Sequence, residues 1–112
     1  MFNFEKLDVY QLSKELSIEL IKEANKFPFQ YSRIRDQLLG AAISIPLNIA
    51  EGAGRLSKKD KTNFYRTAKS SDYELYSIID ICDSLKLLNK VIYYDKIERI
   101  AKMLTRLIQS QK

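Results

Sequence analysis

The fold is decided by the stretch from Phe64 to Leu85, which reads FYRTAKSSDYELYSIIDICDSL. Small or apolar residues recur in it at alternating steps of four and three: Phe64, Ala68, Ser71, Leu75, Ile78, Cys82 and Leu85. This average spacing places the side chains along one seam of an α-helix, as is typical of left-handed helical bundles. Ser57 is a suitable N-cap, and Asp60 occupies the capping-box position. We therefore predict one long helix that begins after Ser57 and packs against other helices.

Three further segments have a helical period. Apolar residues three and four apart predict helices from about Leu7 to Lys26, from about Tyr31 to Glu51 and from about Tyr93 to Ser110. Short links between long amphipathic helices imply antiparallel neighbours. We predict an all-α, left-handed, antiparallel up-down four-helix bundle that forms a single domain over residues 1–112.

Proline and glycine mark breaks in this pattern. Pro28 ends the first helix, because the residue before a proline is disfavoured in the α conformation. Pro46 lies inside the second helix and removes one backbone hydrogen bond, so we expect a kink there. Gly52 and Gly54 are expected to form the C-terminal cap of that helix and the loop after it.

The composition argues against an enzyme. The chain contains no histidine, so the usual general base and the commonest metal ligand are missing. Cys82 is the only cysteine and lies in the apolar seam, so we expect a buried, unreactive thiol. The Gly52-x-Gly54 fragment lacks the preceding strand and the Gly-Lys-Ser/Thr ending of a phosphate-binding loop. No pair of carboxylates stands out, and we expect no catalysis, no metal and no cofactor.

The sequence also lacks the signals of membrane insertion and export. The longest uncharged stretch runs from Gln37 to Ala50, whereas a bilayer core needs about 20 apolar residues. Glu5, Lys6 and Asp8 occupy the region where a signal peptide would be apolar. We therefore expect a cytoplasmic protein without a membrane partner.

Charge is segregated along the chain, although the net charge is only +5. Residues 55–69 carry six basic side chains against one acid, and residues 86–112 carry seven against two, whereas residues 70–85 hold four acids and no base. Basic zones of this kind are suited to tracking phosphates. The candidate nucleic-acid-binding residues are Arg55, Lys58, Lys59, Arg66, Lys69, Lys96, Arg99, Lys102 and Arg106. The alternative is a solvated surface that keeps the protein soluble.

The first two helices carry apolar residues outside their main stripes. These residues are Tyr10, Ile18 and Ile21 on the first helix, and Leu39, Ile43 and Leu47 on the second. Such faces would be exposed in a single bundle, and exposed apolar patches mark interfaces. We predict that the chain self-associates through them, and the alternative is one wide core.

A polar stripe lies beside the apolar face of the second helix, and the third helix has polar residues on a comparable flank. The candidate members are Gln37, Ser44, Asn48 and Glu51 on the second helix, and Ser70 and Glu74, near Thr67, on the third. Because buried polar groups need partners, we predict an interhelical hydrogen-bond network that fixes the register of the two helices. The alternative is a polar groove that receives a ligand.

The second helix also carries a motif that resembles a known family. Residues 37–55 read QLLGAAISIPLNIAEGAGR, and they include Ser-Ile-Pro-x-Asn-Ile-Ala-Glu-Gly. This run is similar to the hallmark of the bacterial four-helix-bundle proteins first noticed in intervening sequences of 23S rRNA genes. The opening FEKLDVY, the Phe27-Pro28 break, and Ala68 with Ser71, Glu74 and Leu75 are also similar to that family. The resemblance covers essentially the whole chain.

The resemblance implies a closed four-helix bundle that assembles as a homopentameric ring. The chain is also similar to the accessory variability protein of diversity-generating retroelements, a basic bundle linked to nucleic acid and to a reverse transcriptase. One departure is Leu39-Gly40, where relatives often carry an arginine pair, so a binding surface that relied on that pair is missing here.

Residues and resemblance together predict a non-catalytic homo-oligomer that binds nucleic acid, with structured RNA favoured. The binding is expected to depend on the phosphate backbone and on shape, because no base-reading motif is visible. The alternative function is a protein-interaction scaffold with a bacterial protein partner and no direct contact with nucleic acid.

Overall fold

A computed structural model of the protein describes residues 2–112, and this part of the chain contains helices but no strand. The four α-helices are α1 (Asp8–Ala24), α2 (Ser32–Ala53), α3 (Lys58–Ser84) and α4 (Lys90–Gln109). Short 3-10 helices, Asn3–Lys6 and Phe29–Tyr31, precede α1 and α2. Each α-helix lies within a few residues of its predicted bounds, so the all-α prediction is confirmed. Within residues 2–112, no helix combines the length and the apolar character needed to cross a membrane.

Side-chain caps set where α3 and α4 begin. The Ser57 hydroxyl accepts a hydrogen bond of 3.0 Å from the backbone N–H of Asp60, as the sequence predicted. The Asn89 side chain accepts one of 3.1 Å from the backbone N–H of Val91. The α4 helix therefore begins at Lys90, before the first residue of its apolar stripe, because the Asn89 cap satisfies a backbone donor of the first turn.

The end of α2 differs from the prediction. The helix continues through Pro46 and ends at Ala53, so Gly52 lies inside it rather than in a loop. A Cβ atom on Gly52 would lie 2.8 Å from Cε1 of Tyr65, so this glycine allows α2 and α3 to approach closely. Gly54 caps the helix with a right-handed φ of −84°, so the left-handed freedom of glycine is not used there.

The predicted stripes build the core. Its largest fully buried apolar side chains are Leu16, Leu20, Leu38, Ile45, Ile49, Leu75, Ile79, Ile100 and Leu104. Cys82 is buried among them, and this burial raises the pKa of its thiol. The two ends of the predicted seam lie outside the core. Phe64 is only half-buried, and Leu85 is exposed because α3 ends at Ser84.

Two hydrogen bonds join α2 to the N-terminal part of the chain, and in them a lower residue number on one side pairs with a higher one on the other. The Ser17 hydroxyl of α1 donates a hydrogen bond of 2.9 Å to the carbonyl of Ala42 in α2. Nearer the N-terminus, the Asn3 side chain donates one of 3.1 Å to the carbonyl of Ala53, at the end of α2. The four helices pack into a body of 44 × 23 × 19 Å.

Candidate nucleic-acid interface

The two basic zones of the sequence meet on the face formed by α3 and α4. Lys69 and Tyr73 of α3 line a groove of about 430 Å³ together with Lys102 and Arg106 of α4. Arg66 extends this surface, because it lines an adjoining hollow with Lys69 and Tyr73. These five residues are called the basic groove below. Zones that are separate in the sequence thus form one cationic surface.

Most cations of the basic groove lack a carboxylate partner. Among residues 2–112, Arg66, Lys69 and Arg106 form no salt bridge. Lys102 lies 3.4 Å from Glu98, one turn earlier on α4, in a pair that is exposed to solvent. Exposed pairs of this kind are weak and easily exchanged for another anion. The groove therefore presents unneutralised positive charge.

Tyr73 adds an aromatic surface to this charge. Its side chain is 64% exposed and lies between the basic residues of α3 and those of α4. Exposed aromatic rings beside cations are the usual platforms for unpaired bases, because every base has a face that can stack. The groove can thus contact both a phosphate backbone and a base.

Three of the predicted binding residues lie near the link between α2 and α3. Lys58 and Lys59 are exposed in the first turn of α3. Arg55 is exposed but is already engaged, because it lies 2.7 Å from Glu51 and its guanidinium stands 4.8 Å from the ring centre of Phe64. Lys58 lies roughly 12 Å from Arg66 along α3, at about 1.5 Å per residue. Lys58 and Lys59 thus form a second exposed basic site near the start of α3, outside the basic groove.

Lys96 lies outside the basic groove, although the sequence grouped it with Arg99, Lys102 and Arg106 as a candidate nucleic-acid-binding residue. Its amine donates hydrogen bonds to Glu19 and to Glu15 of α1, and its side chain is only 24% exposed. The Glu19 hydrogen bond raises the pKa of Lys96. The physical reason is that α1 packs beside α4 and brings two carboxylates against this lysine. Arg99 remains exposed and lies 3.7 Å from Asp95 of its own helix.

A small polar network joins α2 to α3, and it differs in membership from the predicted one. The Ser44 hydroxyl lies 2.8 Å from the Ser71 hydroxyl. The Asn48 side chain donates to the Ser44 hydroxyl at 3.0 Å and to the Ser44 carbonyl at 2.8 Å. Ser71 takes the place predicted for Ser70, because Ser71 belongs to the buried seam of α3.

The other predicted members of that network face solvent. Within residues 2–112, the side chains of Gln37, Ser70 and Glu74 are exposed and make no hydrogen bond to another residue. Glu51 pairs with Arg55 instead of with α3. The network is therefore confined to Ser44, Asn48 and Ser71.

The apolar residues outside the main stripes of α1 and α2 are partly covered by other residues of the chain. Tyr10 packs edge-on against Phe4 at 4.8 Å between ring centres, and Leu39 packs against the core. Ile21 is half-buried. The other three predicted interface residues remain exposed, and they are called the apolar patch below: Ile18, Ile43 and Leu47.

Asp72 is an unusual residue that the sequence did not single out. It is fully buried, and neither of its carboxylate oxygens has a hydrogen-bond partner among residues 2–112. This burial raises the pKa of Asp72 from 3.8 to about 7. The spacing of its neighbours could have indicated this burial, because Asp72 follows Ser71 of the seam and lies three residues before Leu75.

Comparison with known proteins identifies the family. The family model described as 23S rRNA-intervening sequence protein matches residues 5–108, from the turn before α1 nearly to the end of α4. None of the curated proteins compared with the chain matches it. The family match includes the Ser-Ile-Pro-x-Asn-Ile-Ala-Glu-Gly run of α2 and agrees with the four helices of the structure. The chain therefore belongs to the 23S rRNA-intervening sequence protein family.

Proposed function

We propose that this protein is a non-catalytic, self-associating helical bundle that binds nucleic acid through the basic groove. The observation that carries the proposal is the convergence of Arg66, Lys69 and Arg106 around an exposed Tyr73. These cations come from two separate zones of the chain and have no carboxylate partner among residues 2–112. Neutralising phosphates with such side chains releases the counterions of the nucleic acid, which favours binding.

The geometry of the groove favours contacts to the backbone over contacts to base edges. Its basic side chains come from α3 and α4, which pack side by side, so neither helix stands free to enter a groove of a nucleic acid. Lysine and arginine side chains on such a surface bind the phosphate backbone and do not distinguish one base sequence from another. Tyr73 supports single-stranded or looped regions, whose unstacked bases can lie on its ring. Membership of a family named for 23S rRNA intervening sequences makes structured RNA the first ligand to test.

Self-association is the second part of the proposal. An up-down bundle is supported by the pairing of rising with falling residue numbers, such as Ser17 with Ala42 and Asn3 with Ala53. The apolar patch supports burial against another copy, because Leu47 is 63% exposed and Ile18 43%. In a ring, one basic groove per subunit would repeat around the axis, and weak contacts would act together.

The direct test reverses the charge of the groove. The variant Arg66→Glu/Lys69→Glu/Arg106→Glu should bind a labelled structured RNA about a hundredfold more weakly than the natural chain at low salt. The matched control is Lys6→Glu/Lys22→Glu/Arg33→Glu, which changes the net charge equally at exposed positions of the opposite half of the chain. Circular dichroism should show the same helix content in both variants. Equal affinities of the two variants would contradict the proposal.

A protein-interaction scaffold is the second candidate function, and the apolar patch favours it. If the protein purified from nuclease-treated cells retains one stoichiometric protein partner, and the variant Ile43→Lys/Leu47→Lys loses that partner, the scaffold function is supported. If nuclease treatment removes every partner, the nucleic-acid function is supported.

A further inference from the structure

A cavity of about 280 Å³ lies beside the basic groove, between α3 and α4. It is lined by Asp72, Tyr73 and Tyr76 of α3 and by Tyr94, Ile97, Glu98 and Ala101 of α4. Tyr73, Glu98 and Ala101 also line the groove of about 430 Å³ between Lys69 and Arg106, so the two spaces share a wall. The cavity is nevertheless different in chemistry, because no basic side chain among residues 2–112 lines it.

The carboxylate of Asp72 is the unexplained group in this cavity. Both of its oxygens are shielded from solvent and lack any hydrogen-bond partner among residues 2–112. Burying a carboxyl group without partners is costly, since the charged form loses its hydration and the neutral form loses its hydrogen bonds. A leucine at this position would be buried at no such cost. An unpaired carboxylate in the wall of a cavity is therefore a candidate binding group.

The side chains around Asp72 favour a positively charged ligand. The rings of Tyr76 and Tyr94 meet edge to face, with their centres 5.7 Å apart. Glu98 lies at the rim, where it accepts a hydrogen bond of 2.8 Å from the Tyr94 hydroxyl. Aromatic ring faces and carboxylates both attract cations. The lining is thus complementary to a positive charge.

The remaining lining residues and the size of the cavity indicate what kind of cation fits. Ile97 and Ala101 offer apolar surface, which suits the hydrocarbon part of an organic cation better than a hydrated metal ion. Two carboxylates with no further oxygen ligand besides tyrosine hydroxyls also fall short of the six or more oxygens that calcium takes. At about 280 Å³, the cavity lies at the small end of ligand pockets.

We propose that this cavity binds a protonated alkylamine, whose ammonium group donates hydrogen bonds to the Asp72 carboxylate while its carbon chain lies against Ile97 and Ala101. The amine is either a small molecule in solution or the end of a lysine side chain from a second copy of this chain. Because the Asp72 oxygens are shielded from solvent, a neighbouring ring has to turn before the amine can reach them. Tyr73 and Tyr94 line the cavity and are 64% and 50% exposed, so these rings can turn without disturbing the core. The proposal does not depend on nucleic-acid binding.

Calorimetric titration with butylamine tests the site, and butanol serves as the neutral ligand of the same size. The buffer is phosphate, because amine buffers would compete. The natural chain should bind butylamine saturably and butanol at least about tenfold more weakly. Asp72→Asn keeps the shape of the side chain and should reduce the affinity for butylamine about tenfold or more. Tyr94→Leu should also weaken the binding, and it tests the site independently of Asp72.

The matched control is Glu74→Gln, which removes one negative charge from an exposed position of the same helix. It should bind butylamine as the natural chain does. Sedimentation velocity distinguishes the two sources of the amine. If a lysine of a second copy fills the cavity, butylamine should dissociate the assembly, and Asp72→Asn but not Glu74→Gln should sediment as a smaller species. If Asp72→Asn behaves like Glu74→Gln in both measurements, the proposal is overturned.

Discussion

Lys69 on α3 and Arg106 on α4 line the same groove, although each belongs to a different basic zone of the sequence. The acidic segment between the two zones does not separate them in space, because α3 and α4 pack side by side. Part of that acidic charge is also removed from the surface, since Asp72 is buried. The packing of two helices thus concentrates positive charge that the linear sequence only distributes.

Gly52 and Gly40 should respond in opposite ways to alanine. A Cβ on Gly52 would meet Cε1 of Tyr65 at 2.8 Å, so Gly52→Ala should destabilise the fold by about 1–3 kcal/mol. A Cβ on Gly40 would meet no atom within 4 Å, so Gly40→Ala should stabilise α2 by about 0.5–1 kcal/mol. Urea denaturation followed by circular dichroism measures both free energies of unfolding. A neutral Gly52→Ala substitution would show that α2 and α3 do not approach closely there.

Asp72 should make the stability of the protein depend on pH. Burial raises the pKa of Asp72 from 3.8 to about 7, so the folded state holds this proton over a range in which the unfolded chain has released it. The free energy of unfolding therefore decreases as the pH rises from about 4 to about 7, because the folded state has to release this proton from a buried carboxyl group. Asp72→Asn should match the natural chain near pH 4 and exceed its free energy of unfolding by a few kcal/mol, to order of magnitude, at pH 8.

The control for this prediction is again Glu74→Gln, whose difference from the natural chain should vary much less with pH because the side chain is exposed. Urea titrations from pH 4 to pH 8 give the differences directly. If the difference between Asp72→Asn and the natural chain is the same at both ends of the range, the Asp72 carboxylate is not desolvated in solution.

The apolar patch should control assembly without contributing to the fold of one subunit. Ile43 and Leu47 are 38% and 63% exposed, so Ile43→Lys/Leu47→Lys should change the free energy of unfolding of a subunit by less than about 1 kcal/mol. The same variant should reduce the mass of the assembly in sedimentation velocity, because lysines cannot be buried without partners. Leu56→Lys, at a fully exposed position outside the patch, is the control and should leave the mass unchanged. Equal masses for both variants would place the interface elsewhere.

Much of the fold could be predicted because it rests on local rules. The seam of α3 and the Ser57 cap depend on residues close in the sequence, and the structure contains both. The start of α4 was placed a few residues too late, because its first turn is stabilised by the Asn89 cap and not by an apolar residue. The predicted role of Gly52, in the cap and loop after α2, was wrong for a related reason, since this glycine lies inside α2 against Tyr65 of another helix.

The site was harder to predict, because it depends on which helices become neighbours. The sequence placed Lys96 with the other cations of α4, but only the packing of α1 beside α4 brings Glu15 and Glu19 to it. Asp72 was counted only as one of the four acids of residues 70–85, and its burial was not predicted, since an aspartate is rarely buried without a partner. The meeting of two basic zones also required the arrangement of α3 and α4, which periodicity alone does not supply.

Salt dependence of RNA binding measures most directly whether the basic groove neutralises phosphates. Nuclease-treated protein is titrated into a labelled structured RNA over a range of salt concentrations, with a matched duplex DNA beside it. Arg66, Lys69, Lys102 and Arg106 should give a slope of log affinity against log salt between about −2 and −4 per subunit. The Arg66→Glu/Lys69→Glu/Arg106→Glu variant should lose most of that slope. Absence of binding at low salt, or binding that does not change with salt, would contradict a nucleic-acid-binding groove.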